Sequence, residues 1–476
     1  MSSLTSPIDP IIIVGSGPAG LLLARYLQLH NLPCKVYERD PSPSHRPQGG
    51  TLDLHTGTGL RALKETGLLE DAQKLMRPEG EAMKVMDRSG NVLWDENGDG
   101  AWVTPGSRPE IDRQVIFDYF SRCSSYKCSL HLLRNVQLTY RTDLRNLLLS
   151  SLTPDTVSWG HEITSCIALT PTEYQITFAP PHPPVITSIL IGADGAFSRI
   201  RPLLHDKRPT YTGVSMYDLL ISPPNLTPTL SKFVGQGAAL ILHEGKCVLP
   251  QMNSGGRCKI YAALRVGEKW LDEYPLPAEG KKEAVARLFP EDEGWTGKAR
   301  ELIEAADEDS VVSRRIYGYP PGLKWKTDLT GVTVIGDAAH VMSPFAGEGV
   351  NQALADALLL GKTLVNTYYN SFPKSTSPAP FPLSLFPVSP PPRSIPRTPS
   401  PATLHAALRT FESRMMRRVD PELRGSAENL EMFMGPHAAE RVHNFFRYMP
   451  LVFLKQVTKM GPWGWWQAVR VWWDDD

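Results

Sequence analysis

Four β-branched residues, Ile11-Ile12-Ile13-Val14, run directly into Gly15-Ser16-Gly17-Pro18-Ala19-Gly20. A short, wholly apolar run closed by glycine reads as a strand buried on both faces. Leu21 to Leu29 continues as a helix, and Cys34-Lys35-Val36-Tyr37-Glu38 as a second strand ending in an acid. The three glycines serve different ends. Gly15 permits the tight turn, Gly17 lets a pyrophosphate approach the backbone, and Gly20 allows close helix–strand packing. The helix start offers N–H groups and the positive dipole end to phosphate oxygens. Glu38 stands where a carboxylate can accept hydrogen bonds from ribose hydroxyls. Strand, glycines, helix, strand and acid in one short stretch predict a dinucleotide site on an α/β fold.

A second glycine match, Gly57-Thr58-Gly59-Leu60-Arg61-Ala62, lacks that setting. The residues before it, Thr51-Leu52-Asp53-Leu54-His55, alternate polar and apolar, so they do not form a buried parallel strand. It reads as a turn and a helix start. Two further stations follow the first pattern. Ile189-Leu190-Ile191 leads into Gly192-Ala193-Asp194-Gly195 and on to Arg199 and Arg201. Val332-Thr333-Val334-Ile335 leads into Gly336-Asp337-Ala338-Ala339-His340, and Gly347-Glu348-Gly349-Val350-Asn351 opens a long helix. An aspartate at a strand end can bind sugar hydroxyls, and N–H groups at a helix start can face a carbonyl gaining negative charge.

Composition narrows the partners. The 50 basic residues balance 50 acidic ones and the pI is about 7.2, which argues against nucleic acid. Six scattered cysteines form neither a disulfide framework nor a metal cluster, so a reducing, cytoplasmic setting is expected. Met1–Pro10 carries no basic secretory n-region, and no run reaches the ~18–20 apolar residues needed to span a bilayer. The 43 prolines exceed the ordinary proportion of about 5%. Eleven of them lie between Pro373 and Pro401, where neither helix nor central strand can persist. That stretch reads as a loop between helices Ala353–Tyr369 and Thr403–Arg418, with a docking role for its Pro-x-x-Pro spacings as the alternative.

The three stations, in this order, resemble those of the single-component FAD-dependent monooxygenases of the aromatic hydroxylase family. Tyr37-Glu38-Arg39, Gly49-Gly50-Thr51-Leu52-Asp53-Leu54-His55, Pro109-Glu110-Ile111-Asp112-Arg113 and Gly336-Asp337-Ala338-Ala339-His340 resemble the tetracycline-inactivating branch and its fungal-type relatives. The resemblance implies an α/β protein. Its Rossmann-like FAD-binding domain (8–200 and 325–370) is interleaved with an antiparallel-sheet substrate domain (201–324). A Pro-rich loop (371–402) and C-terminal helices (403–476) follow. Residues Ala238–Pro250 and Lys259–Val266 would be strands covering the flavin.

Carried over residue by residue, Gly15, Gly17, Pro18, Ala19, Gly20, Glu38 and Arg39 would hold the ADP half of FAD. Arg46 and Asp53 would lie nearer the flavin ring, Arg113 near the phosphates or ribose, and Asp337 on the ribitol–pyrophosphate. Gly349, Val350 and Asn351 would present backbone N–H groups to the flavin pyrimidine edge. NADPH or NADH would reduce FAD, O₂ would add at the flavin C4a, and the hydroperoxide would pass one oxygen to an electron-rich substrate carbon. An FAD oxidase or dehydrogenase, or a non-catalytic flavin-binding protein, are the alternatives on this scaffold.

For the arginines, the competing reading is a surface charge. Tyr217, on the expected strand Val214–Ile221, is a catalytic or substrate-bonding candidate beside Arg46, or else a satisfied sheet tyrosine. His340 is expected as a packing residue. In the family the Ile-Asp-Arg run continues at once into Asp-Leu-Arg; here residues 114–141 intervene and read as an insertion or an unspliced intron, leaving Arg113 or Arg141 for the arginine position. Asp218, Leu249 and Tyr261 stand where tetracycline-inactivating members use other contacts, so a polycyclic, phenolic or polyketide-like substrate is expected rather than tetracycline. Five of eleven tryptophans crowd the last 14 residues (Trp463, Trp465, Trp466, Trp472 and Trp473). They suit a helix packed across both domains, or peripheral membrane contact. The protein is expected to act as a monomer.

Overall fold

A computed structural model describes residues 8–45, 50–77, 80, 82–97, 137–369 and 396–447. Arg46, Arg113, residues 114–136, the 370–395 stretch and the Trp-rich tail lie outside the described residues.

The apolar run at the start forms β1 (Ile11–Val14), the centre of a five-stranded parallel sheet. On one side it pairs with β11 (Leu190–Gly192), which pairs with β17 (Val332–Val334); on the other lie β2 (Cys34–Tyr37) and β7 (Val157–Ser158). Its strands β1, β11 and β17 are buried on both faces, which is why they read as near-continuous apolar runs. Helices α1 (Pro18–Leu29), α2 (Arg141–Ser150) and α3 (Gly349–Tyr369) pack around it, sharing one core with Leu21, Leu22, Leu27, Leu148, Leu354 and Leu360. A small antiparallel sheet of β8 (Ile163–Thr170), β9 (Glu173–Phe178) and β10 (Val185–Thr187) leads into β11.

The second layer is a seven-stranded sheet in the order β16 (Val312–Gly318), β12 (Thr210–Ile221), β15 (Arg257–Arg265), β14 (Lys246–Asn253), β13 (Ala238–His243), β4 (Met83–Asp87) and β5 (Val92–Asp95). It is antiparallel except for the β4–β13 pair. The hairpin of residues 83–95 therefore joins this sheet, although its sequence position lies within the stretch read as the dinucleotide part. One sheet face packs Leu219, Ile221, Ile260 and Ala262 against Leu230, Val285, Phe289 and Leu302. The other packs Val214, Met216, Leu240 and Ala263 against Phe345, Leu430 and Phe433.

β3 (Thr51–Leu54) pairs with β6 (Gln137–Tyr140), so the last residues of the segment read as an insertion belong to the fold. Val136-Gln137-Leu138-Thr139-Tyr140 alternates as a strand should, but over too few residues to stand out.

The C-terminal helix α4 spans Pro401–Met434, well past the expected end at Arg418. Ser400 caps it by accepting from the Thr403 N–H at 3.2 Å, and Pro401 occupies the first turn, where its missing N–H costs nothing. The helix passes through Pro421 because Val419, Leu423, Leu430 and Phe433 remain buried along it. A further helical stretch at 438–447 lays Ala438, Val442 and Phe446 on the sheet, with Phe446 stacked on Trp94. Among the described residues no helix is long and apolar enough to cross a membrane.

Glu412 of α4 accepts from Thr333 Oγ1 at 2.8 Å and Arg409 Nη2 at 2.7 Å. Burial pushes its carboxyl up to about 7, against the pull of Arg409 and Thr333. A carboxyl with a raised pKa in the folded state makes the fold lose stability as pH rises from about 4.5 through 7. Urea unfolding of Glu412→Gln at pH 5 and pH 8 should show that this slope is reduced.

Candidate active site

The loop after β1 is shaped by contacts that leave no room for side chains. Gly15 has φ +103°, and a Cβ there would lie 2.2 Å from the Ala193 carbonyl oxygen. At Gly20 a Cβ would sit 2.1 Å from the Gly15 oxygen, so α1 is seated tightly on the turn. A Cβ on Gly17 meets nothing within 4 Å. Gly17 is the helix N-cap and provides no side-chain cap, with Pro18 following it. Open space before the N–H groups of an uncapped helix start fits a pyrophosphate.

The acid that ends β2 lies beside this loop. Glu38 is 7% exposed; its Oε2 accepts from the Ser16 N–H at 2.7 Å and its Oε1 from the Asp40 N–H at 3.0 Å. Arg39 points to solvent. A further residue joins the loop from α2. Arg145, 4% exposed, donates through Nη2 to Ser16 Oγ at 3.2 Å and through Nη1 to the Pro43 carbonyl at 2.6 Å, and lies over the Trp159 ring. The Asp-Leu-Arg string carried this signal; its position far from the glycines in sequence hid the contact.

Three segments distant in sequence meet here. The Ala193 N–H donates to the Val14 carbonyl at 2.7 Å, and the Ile335 N–H to the Gly192 carbonyl at 2.9 Å. Arg201 ties the second and third segments by donating to the carbonyls of Ala196 at 2.9 Å and Ala338 at 3.0 Å. Asp194 accepts from the Arg199 N–H at 2.7 Å, and burial raises its carboxyl above the usual range. Asp337 starts a single helical turn, Asp337–His340, and is exposed. Asn351, fully buried, donates to the Asp53 carbonyl at 2.8 Å and accepts from the His55 N–H at 2.9 Å. It staples β3 to the start of α3 and leaves Gly349 in open space. The second glycine match is a helical turn, Thr56–Leu60, followed by the helix Arg61–Glu65; a Cβ on Gly59 would meet Asn351 Oδ1 at 2.6 Å.

The seven-stranded sheet carries a mixed polar and apolar row that meets the entry to β3. Asp218, Tyr261 and Leu249 are cross-strand partners on β12, β15 and β14. The Tyr261 hydroxyl accepts from the Gly50 N–H at 3.2 Å, which brings the sheet against the entry to β3. Asp218 pairs with Lys259 and lies 3.4 Å from Arg314 Nε. Tyr217 takes the opposite face. It is 3% exposed among Leu219, Leu230 and Phe289, and burial raises its hydroxyl pKa. The strand's alternation puts Tyr217 into this packed face and Asp218 on the other.

A model of the FAD binding domain matches residues 9–371. The chain belongs to that family. It is 28% identical over 400 residues to the Penicillium thymicola monooxygenase penA, covering 74% of this chain and 84% of that one. To the Emericella nidulans monooxygenase asqM it is 29% identical over 408 residues, covering 77% and 86%. Among solved structures, the tetracycline destructase Tet(51) superimposes with a TM-score of 0.59 at 17% identity, covering 94% of this chain and 98% of that one. The fold is that of the flavin-dependent hydroxylases, and the chain is an FAD-dependent monooxygenase. FAD is its cofactor, and the open helix start at Gly17 beside the buried Glu38 fits that group.

Proposed function

We propose that this flavoprotein uses NADPH or NADH and O₂ to insert one oxygen atom into an electron-rich small molecule of aromatic, polyketide-like or polycyclic type. The observation that carries this reading is the convergence of three FAD-type motifs, with the row Asp218–Tyr261–Leu249 tied to the entry of β3 by the Tyr261 hydroxyl. The fungal relatives penA and asqM, monooxygenases by name, support the activity class.

Gly15, Gly17, Pro18, Ala19 and Gly20 would hold the pyrophosphate at the start of α1. Glu38, Arg39 and Arg145 would flank the adenosine side, Asp337 the ribitol, and Asp53 the flavin ring. The backbone N–H groups of Gly349, Val350 and Asn351 would face the pyrimidine edge, where they stabilise negative charge on the ring. Arg113, or else Arg141, which precedes Thr-Asp-Leu-Arg, would fill the arginine position near the phosphates or ribose. When bound, FAD supplies the redox and oxygen-activating chemistry. The chain's own part is to orient the substrate and exclude water. Leu249 and Phe345 offer apolar cover, while Asp218, Lys259 and Tyr261 offer groups that can fix hydroxyl or carbonyl oxygens.

The test is NAD(P)H consumption by the purified holoenzyme against a panel of phenols and polyketides. Stimulation by a subset of them supports the reading; uniform, compound-independent consumption contradicts it. With a stimulating compound, Asp218→Asn should raise KM by about tenfold, the effect of one lost charged hydrogen bond. Tyr217→Phe, on the packed face, should leave KM unchanged.

A further inference from the structure

Behind the cofactor groove, a line of buried polar side chains joins the Gly336–His340 turn to the start of α3. Asp356 Oδ2 accepts from the Gly336 N–H at 2.8 Å and lies 2.6 Å from His340 Nε2; Oδ1 pairs with Arg418 Nη2. Arg418 Nε donates to Gln352 Oε1 at 2.8 Å, and Gln352 Nε2 donates to Glu348 Oε2 at 3.2 Å. Glu348 Oε1 lies 3.0 Å from His55 Nδ1. Asp356, His340, Gln352, Glu348 and His55 are each 3% exposed or less.

Five of these six residues belong to segments that carry or adjoin the FAD-type motifs. Arg418 does not: it reaches in from α4. The same helix also grips the loop between the two motifs. Ser426 Oγ donates to the Ser343 carbonyl at 3.0 Å, and Asn429 Nδ2 to the Phe345 carbonyl at 3.3 Å. A buried charged group is expensive to desolvate, and its best-attested use is to fix register rather than to add stability. Arg418 suits that use, because one guanidinium of α4 binds Asp356 and Gln352, a turn apart on α3, and so fixes the seating of one helix on the other.

We propose that Arg418 is a positioning residue for FAD. By engaging Asp356 and Gln352 on α3, it orients the Asp356 carboxylate that accepts from the Gly336 N–H, so the C-terminal helix sets how α3, with its Gly349–Asn351 amides, sits on the Gly336–Asp337 anchor and governs how the flavin seats. The idea rests on the FAD assignment above, and it goes beyond it by making cofactor affinity a property of α4.

Arg409 provides a matched control. It lies on the same helix, pairs with Glu412 and donates to the carbonyls of Lys326 and Val332, away from this line. The experiment measures the FAD dissociation constant and the flavin midpoint potential of the wild type, Arg418→Met, Arg418→Lys and Arg409→Met. Arg418→Met should bind FAD about tenfold more weakly and shift the potential, with Arg418→Lys intermediate. Arg409→Met should match the wild type in both. Equal effects of the two methionine variants, or none at Arg418, overturn the proposal. Should Arg418→Met not fold, Gln352→Leu and Arg418→Lys decide by the same comparison. A wild-type protein that takes up no FAD would instead overturn the FAD assignment.

Discussion

Alanine at position 20 should yield a protein that purifies without flavin. The added Cβ would stand 2.1 Å from the Gly15 carbonyl oxygen, a backbone atom inside a turn that Ala193 already confines. Neither side can yield locally, so α1 must move outward from β1, and its N–H groups move with it. Overpacking of this kind costs about 1–3 kcal/mol of stability. The loss of phosphate geometry should weaken FAD binding by at least about 100-fold, equivalent to some 3 kcal/mol. Alanine at position 17 separates the two effects. Its Cβ meets no protein atom within 4 Å, so the fold should melt normally while the space for the pyrophosphate is filled. Flavin absorbance after gel filtration, read beside melting temperature, checks both variants. A Gly17→Ala protein with full flavin would remove the loop from the binding site.

Asp356→Ala should be the most destabilising single change in the C-terminal half. Burial pushes the Asp356 carboxyl up, but His340, Arg418 and the Gly336 N–H together hold it below its ordinary range. Removing the carboxylate leaves the buried His340 and the half-buried Arg418 without their partner, a loss of ~3–5 kcal/mol for a broken buried pair. The sign with pH follows from the depressed pKa. The carboxylate contributes stability above the unfolded pKa of about 4, and that contribution is lost as pH falls through the lower folded value. Urea unfolding at pH 7 should therefore show a large difference between Asp356→Ala and the wild type. The difference should shrink as the pH is taken below about 4.

The dinucleotide fold was legible because its chemistry is local. Ile11 to Glu38 contains strand, turn, helix and acid within one βαβ unit, and the structure reproduces each. The facing of β12 was not legible. Residues 214–219 are buried on both faces of the sheet, so Met216-Tyr217-Asp218-Leu219 shows no inside–outside rhythm that would tell which face Tyr217 takes. The long-range partners were hidden for a different reason. Arg145 and Ser16 are 129 residues apart, and Arg418 and Asp356 are 62 apart, so no spacing rule connects them. Their hydrogen bonds exist only once the helices are packed. The extension of α4 beyond Arg418 was masked by Pro421, a residue that ordinarily ends a helix and is tolerated here by the core along its length.

Isotope incorporation reports oxygen transfer itself. The purified holoenzyme, supplied with NADPH, labelled dioxygen and a compound that stimulates its NADPH consumption, should return a product carrying one labelled oxygen atom. An unlabelled product, with the labelled oxygen recovered as hydrogen peroxide, would show an oxidase on this scaffold and rule out oxygen transfer.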